Sequence, residues 1–229
     1  MIELENLSKF FGHVKAVDNL NLTVKKGEFF CLLGPNGAGK TTTLKLICGL
    51  LKPTSGRIKV GGYDINTHSI LAKRFIGYIP DIPFLYEKLT PREFLEFIMD
   101  IYNVKDNGAE LLEMFELGSK KDILIEEFSH GMRQRLCFVA MLLHNPSCIV
   151  VDEPMVGLDP KSIFLVKKIL KERTKKGATV LLSIHSLSLA EELADRVGII
   201  HKGCLIADAP PKELAKDESL EEVFLELTK

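Results

Sequence analysis

Nine consecutive residues, Gly34-Pro35-Asn36-Gly37-Ala38-Gly39-Lys40-Thr41-Thr42, have the types and spacing of a phosphate-binding loop. They follow the apolar run Phe29-Phe30-Cys31-Leu32-Leu33 and precede a helical pattern of Leu44, Leu46, Ile47, Leu50 and Leu51. The glycines let the backbone curl around an anion with several N–H groups pointing inward. Lys40 can reach the terminal phosphates, and the Thr41 hydroxyl can ligate Mg²⁺. A glycine-rich turn capping a helix is the plainer alternative. A strand before it and a helix after it favour a nucleoside triphosphate site.

Two further segments bear on that chemistry. Cys148-Ile149-Val150-Val151-Asp152-Glu153-Pro154 is an apolar strand ending in two carboxylates. In an open parallel sheet ligands sit beyond the carboxyl ends of the strands, which places these acids beside the loop. The aspartate can hold Mg²⁺ through water, and the glutamate can accept a proton from an attacking water. A solvated pair of strand-end acids is the competing interpretation. Upstream, Phe128-Ser129-His130-Gly131-Met132-Arg133-Gln134-Arg135 opens the apolar stretch Leu136–Leu143. Ser129 there can simply cap a helix, or its hydroxyl and the free N–H groups behind it can meet an anion. Downstream stand Val156-Gly157-Leu158-Asp159-Pro160 and, at the end of the run Thr179–Ile184, His185.

By order and spacing this set resembles the ATP-binding cassette (ABC) ATPases, from the first strand to about Ala209. The resemblance implies ATP and Mg²⁺ as cofactors. It implies that Gly34 to Thr42 are the Walker A loop, Asp152 the Walker B aspartate, Glu153 the catalytic base and His185 the switch histidine at the γ-phosphate. Phe128 to Met132 match the LSGGQ signature stretch and Gly157-Leu158-Asp159 the D-loop. Phe11 matches the aromatic that stacks on adenine, Val17 a further nucleotide contact, and Asp81 the Q-loop position that ligates the metal. In this family two cassettes pair head to tail, so that Ser129 and Gly131 of one cover ATP held by the other. A single-cassette chain must find its second copy elsewhere, most simply in itself.

Departures from the family pattern cluster at a few positions. Asp81 stands where the family has glutamine; aspartate is one carbon shorter, roughly 1.5 Å less reach, and brings a full charge. His130 replaces the first glycine of the signature stretch and Met132 its glutamine. Met155 and Val156 occupy positions that are often small and polar.

The elements that must position these residues follow from pattern. Runs at Asn19–Val24, Phe29–Leu33 and Arg57–Val60, split by Lys-Gly-Glu and Pro-Thr-Ser-Gly turns, read as antiparallel strands around the first helix. From Pro80 to Pro146 the pattern is helical. Thr90-Pro91-Arg92-Glu93 is a capping box, and Phe94, Phe97, Ile98 and Ile101 then recur at helical spacing. Beyond Pro146 strands and helices alternate, which implies a mainly parallel sheet. Ser219-Leu220-Glu221-Glu222 opens a last amphipathic helix. The expected fold is α/β: a P-loop NTPase core with a mainly parallel sheet, an antiparallel β-subdomain and an inserted α-helical subdomain. One domain is expected over 1–229, with the ATP-binding core at 1–80 and 146–229 and the helical subdomain at 81–145.

Composition narrows the partners. The 229 residues are 46% hydrophobic, ample for one sizeable core, and carry 30 basic against 31 acidic side chains. At a net charge of −1 no global field draws the chain to nucleic acid or an anionic bilayer, and no nucleic acid is expected. The longest apolar run, Leu136 to Leu143, is far below the ~20 residues of a spanning helix. Glu3 and Glu5 are unlike a secretory leader, and five cysteines without a C-x-x-C pair suit a reducing compartment. The expected place is the cytoplasm, and the resemblance implies a peripheral position on the inner face of the cell membrane through a permease.

The stretch Tyr78 to Tyr86 with Leu89-Thr90-Pro91-Arg92-Glu93-Phe94 resembles the drug- and ion-efflux branch, whose permease is a separate integral-membrane chain. The expected activity is Mg-dependent ATP hydrolysis coupled to transport, with export the expected direction. A soluble ABC ATPase acting on ribosomes or DNA is the rival; such relatives usually carry two cassettes, zinc-binding insertions or long coiled coils, none of which is in this sequence. A small-molecule P-loop kinase gives no reason for Ser129 to Gly131, nor for Glu153 directly after Asp152.

Overall fold

The computed structural model describes residues 1–105, 108–215 and 218–229. Two sheets organise the chain. The first has the order β2-β1-β4-β5 and is antiparallel throughout, built from β1 (Ile2–Phe11), β2 (Val14–Val24), β4 (Ser55–Val60) and β5 (Tyr63–Asp64). The second has the order β10-β9-β3-β8-β7-β6. Its strands are β3 (Phe29–Leu33), β6 (Ile76–Ile79), β7 (Cys148–Asp152), β8 (Thr179–Ile184) and β9 (Arg196–His201), all parallel, with β10 (Cys204–Ala209) antiparallel at the edge.

This arrangement corrects one expectation. Phe29–Leu33 is no antiparallel strand; it is central to the parallel sheet, hydrogen-bonded to β8 and β9. All five of its residues are buried, as expected of a strand covered on both faces. The alternate faces feed two cores: Phe29, Cys31 and Leu33 join the cluster under the helices, Phe30 and Leu32 the one under the antiparallel sheet.

Helix α1 (Lys40–Ile47) follows β3, and α2 (Ser69–Lys73) precedes β6. Between β6 and β7 lie α3 (Pro91–Tyr102), α4 (Ala109–Met114) and α5 (His130–Leu143). Helix α3 starts with the expected capping box: Thr90 Oγ1 accepts from the Glu93 N–H while the Glu93 carboxylate accepts from the Thr90 N–H. Its apolar stripe is only half used, because Phe94 is buried while Phe97 and Ile101 stay exposed. Helices α6 (Pro160–Lys175) and α7 (Leu187–Leu193) follow β7 and β8; α8 (Pro211–Ala215) and α9 (Leu220–Leu227) close the chain.

Three cysteines are buried, two partly so, and all are free. Burial pushes the Cys137 and Cys148 thiols up to about 12, so they stay protonated packing groups. No helix among the described residues is long and apolar enough to cross a membrane.

Candidate nucleotide-binding and hydrolysis site

The loop from Gly34 to Gly39 is held from behind and open in front. A Cβ at Gly34 would fall 2.4 Å from the Ile200 carbonyl oxygen, and one at Gly39 2.2 Å from that of Ala16; Gly39 also has φ +108°. Only glycine fits at these two points. At Gly37 an added Cβ would meet nothing within 4 Å, which marks the open side. The β9–β10 turn buttresses the loop, with the Gly203 N–H donating to Ala38 O and the Asp18 N–H to Gly203 O.

Lys40 is 7% exposed. Its ammonium donates to Gly34 O at 2.7 Å and Pro35 O at 3.3 Å, and lies 3.8 Å from Glu153 Oε1. The loop thus stores a cation at its own centre. Thr41 and Asn36 are exposed, Thr42 is half-buried, and Thr43 Oγ1 is turned inward to Gly39 O.

Strand β7 delivers Asp152 and Glu153 to the same edge. Asp152 is fully buried; Oδ1 accepts from the Ser183 hydroxyl, and Oδ2 is buried with no partner among the described residues. A buried carboxylate oxygen left without a donor costs free energy unless a cation or donor arrives. Glu153 sits at φ +47°, a left-handed backbone uncommon for a non-glycine residue. Its Oε2 lies 2.7 Å from His185 Nδ1. A carboxylate only accepts, so Nδ1 carries the proton in this contact and Nε2 is left for other chemistry.

The remaining predicted residues fall into four groups. Phe11 is exposed at the β1–β2 hairpin with the Lys9 ammonium 5.0 Å from its ring centroid, an aromatic platform with one face already attended. Ser129 is the N-cap of α5, its Oγ accepting from the Met132 N–H at 3.3 Å, and Gly131 lies in the first turn. Asp81 is exposed two residues past β6, at the strand end next to that of β7. Val17 departs from expectation: it is fully buried in the core of the antiparallel sheet, so its side chain cannot touch a ligand. Ser183 was missed; a serine inside the apolar run Val180-Leu181-Leu182-Ser183-Ile184 was the available signal.

Known proteins resemble this chain over most of its length. Residues 17–156 match the ABC transporter family. The chain is 40% identical over 219 residues to the bacitracin transport ATP-binding protein BcrA of Bacillus licheniformis, covering 94% of this chain and 72% of the relative. The chain belongs to the ABC transporter family of ATP-binding proteins. It is also 41% identical to the linearmycin resistance ATP-binding protein LnrL of Bacillus subtilis, over 90% of this chain and 68% of that protein. Among solved structures, an ATP-binding subunit of an ABC transporter superposes with a TM-score of 0.94 at 34% identity, all of both chains aligned. A dimeric cassette in a post-hydrolysis state with ADP and phosphate gives 0.83 at 28% identity, over 92% of this chain and 98% of the other. This cassette is therefore an ABC ATPase that hydrolyses ATP for transport.

Proposed function

We propose that this cassette is the Mg²⁺-dependent motor of a membrane exporter, acting as a head-to-tail pair of identical chains beneath a separate integral-membrane permease. The observation that carries the chemistry is the meeting of Lys40, Glu153 and His185 at the mouth of the loop, next to the orphan oxygen of Asp152. Thr41 and Asp152 fit Mg²⁺, which favours a few oxygen ligands and leaves the rest to water and phosphate. The ion would spread charge on the β- and γ-phosphate oxygens.

In the hydrolysis we assign, water attacks the γ-phosphorus in line and the bond to the ADP oxygen breaks. Glu153 accepts the proton of the attacking water, and the imidazole of His185 fixes the orientation of that carboxylate. Lys40 leaves Glu153 for the γ-phosphate, so nucleotide binding itself frees the base from its cation. Phe11 would stack on adenine, and Ser129 with Gly131 would cover ATP held by the second copy.

Residues 1–80 and 146–229 then act as the ATP-binding core and 81–145 as the helical subdomain, one unit in all. The names of the relatives speak of bacitracin transport and linearmycin resistance, which supports export as the direction. The working place is the inner face of the membrane, reached through the permease.

Glu153→Gln tests the assignment. The variant should keep ATP binding, lose ~10²–10⁴ in turnover as general-base catalysis is removed, and accumulate as an ATP-bound dimer on a sizing column. Turnover near that of the unmodified chain would take the role of base away from Glu153.

A further inference from the structure

The phosphate-binding loop is pinned at both ends, and its middle is free. The Ala38 N–H donates to Pro35 O at 3.2 Å and Ala38 O accepts from the Gly203 N–H, so Asn36 and Gly37 are the two central residues of a turn. Gly37 has φ +79°, the conformation that glycine supplies at the third position of such a turn. Both residues are exposed, and neither the Asn36 carboxamide nor the Gly37 N–H has a hydrogen-bond partner among the described residues. A Cβ on Gly37 would meet nothing within 4 Å. A free side-chain amide therefore stands beside a free backbone nitrogen, with no side chain on the next residue to keep them apart.

We propose that Asn36 is a site of spontaneous deamidation, open in the nucleotide-free cassette and closed by a bound nucleotide. The Gly37 backbone nitrogen forms a bond to Asn36 Cγ. The amide nitrogen departs as ammonia with the Gly37 N–H proton, leaving a cyclic imide. Water then opens the imide at either carbonyl and gives aspartate or isoaspartate at position 36. The sum is amide plus water to carboxylate plus ammonium, with no change of oxidation state.

Both products oppose the task of the loop. A carboxylate ~5 Å from a phosphate oxygen weakens ATP binding on the order of 10- to 100-fold. Isoaspartate also carries a methylene in the main chain, which displaces the following N–H groups by ~1.5 Å, more than a hydrogen bond tolerates. A phosphate seated in the loop is held by its backbone N–H groups, and the free Gly37 N–H is one of them. Occupancy thus withholds the attacking nitrogen, and the cassette loses binding capacity only while it stands empty.

The test ages the full chain at mildly alkaline pH, which favours loss of the Gly37 proton. One sample has no nucleotide and one has Mg²⁺-ADP at about ten times its dissociation constant; both are digested for peptide mass mapping. Asn36 should show the mass change from amide to acid in the empty chain, and ~10-fold more slowly with ADP, in step with the fraction of sites left free. Asn107, in the other Asn-Gly pair of the sequence, is the internal reference, and the ADP effect should be confined to Asn36. ATP binding by calorimetry should fall with the fraction converted at position 36. Asn36→Ser, which cannot form the imide, should hold whatever ATP binding it starts with over the same period. Asn36 left intact after a free peptide of residues 32–40 has converted overturns the proposal. So does conversion that ADP leaves unchanged, or slows equally at Asn36 and Asn107. ATP binding undiminished in the converted chain overturns it as well, and an equal decline in Asn36→Ser would place the damage elsewhere.

Discussion

Two aspartates at neighbouring strand ends have opposite surroundings. Asp152 is sealed, with Ser183 on one oxygen, while Asp81 is exposed two residues beyond β6. If both face the metal, Asp81 adds a charge that attracts Mg²⁺ and repels the γ-phosphate whenever the metal is absent. Asp81→Asn removes that charge at nearly constant shape. Metal-free ATP should then bind more tightly than to the unmodified chain, and Mg²⁺-ATP equally or less well, by titration calorimetry with and without Mg²⁺. Equal shifts in both conditions would mean that Asp81 points away from the metal. The loop, the acids and His185 were legible as one sheet edge because their spacing reports local backbone chemistry. The burial of Val17 and the contact of His130 with Gly157 were not, because each depends on a segment distant in sequence.

At the scale of elements, the strand Phe29–Leu33 differs from its expected antiparallel pairing for a physical reason. Five apolar residues in a row state that both faces are buried but not the direction of the neighbours, and the adjoining turn residues suggest a hairpin. Its partners begin about 150 residues later, at Thr179 and Arg196. The half-exposed stripe of α3 is the reverse case, an apolar pattern waiting for a surface beyond the chain's own core. Where α3 and α5 end, Tyr102 stacks on His144 with ring centroids 3.9 Å apart, and His144 Nε2 lies 3.3 Å from Ile76 O. Burial holds the His144 imidazole below its usual pKa and the charge of Arg173 adds to this, against backbone contacts to Ile76 and Ala140.

A histidine whose folded pKa is depressed keeps its stability above the unfolded value of ~6.5 and loses it as pH falls from there through the folded pKa. Thermal unfolding at pH 7.5 and 5.5 should therefore show a larger acid-induced drop for the unmodified chain than for His144→Gln. With ~2–4 °C of Tm per kcal/mol at this chain length, one histidine can account for at most a few degrees of that difference. Equal drops would mean that the imidazole protonates as readily folded as unfolded.

For the whole molecule, near-neutral charge leaves apolar surface as the means of finding a partner. Ile82, Phe84 and Tyr86 are 61%, 84% and 61% exposed, and Tyr86 meets Phe97 edge-on with centroids 5.5 Å apart. Phe84 lines a cavity of about 290 Å³, together with Tyr78, Leu85, Ile98 and Tyr102 among others. An aromatic that is five-sixths exposed contributes little to the fold, so shortening it should move stability by no more than ~0.5 kcal/mol. If this groove seats a helix of the permease, docking buries the ring, and each such burial is worth roughly 1.5–3 kcal/mol, or about 10- to 150-fold in affinity. Phe84→Ala should then leave ATP binding and Tm of the isolated cassette unchanged while weakening its co-purification with the membrane chain by about that factor. Retention of the membrane chain at the unmodified level would place the permease elsewhere. Capture of only ribosomal or DNA-bound material by crosslinks from Phe84, Leu85 and Tyr86 would remove the transporter from this face altogether.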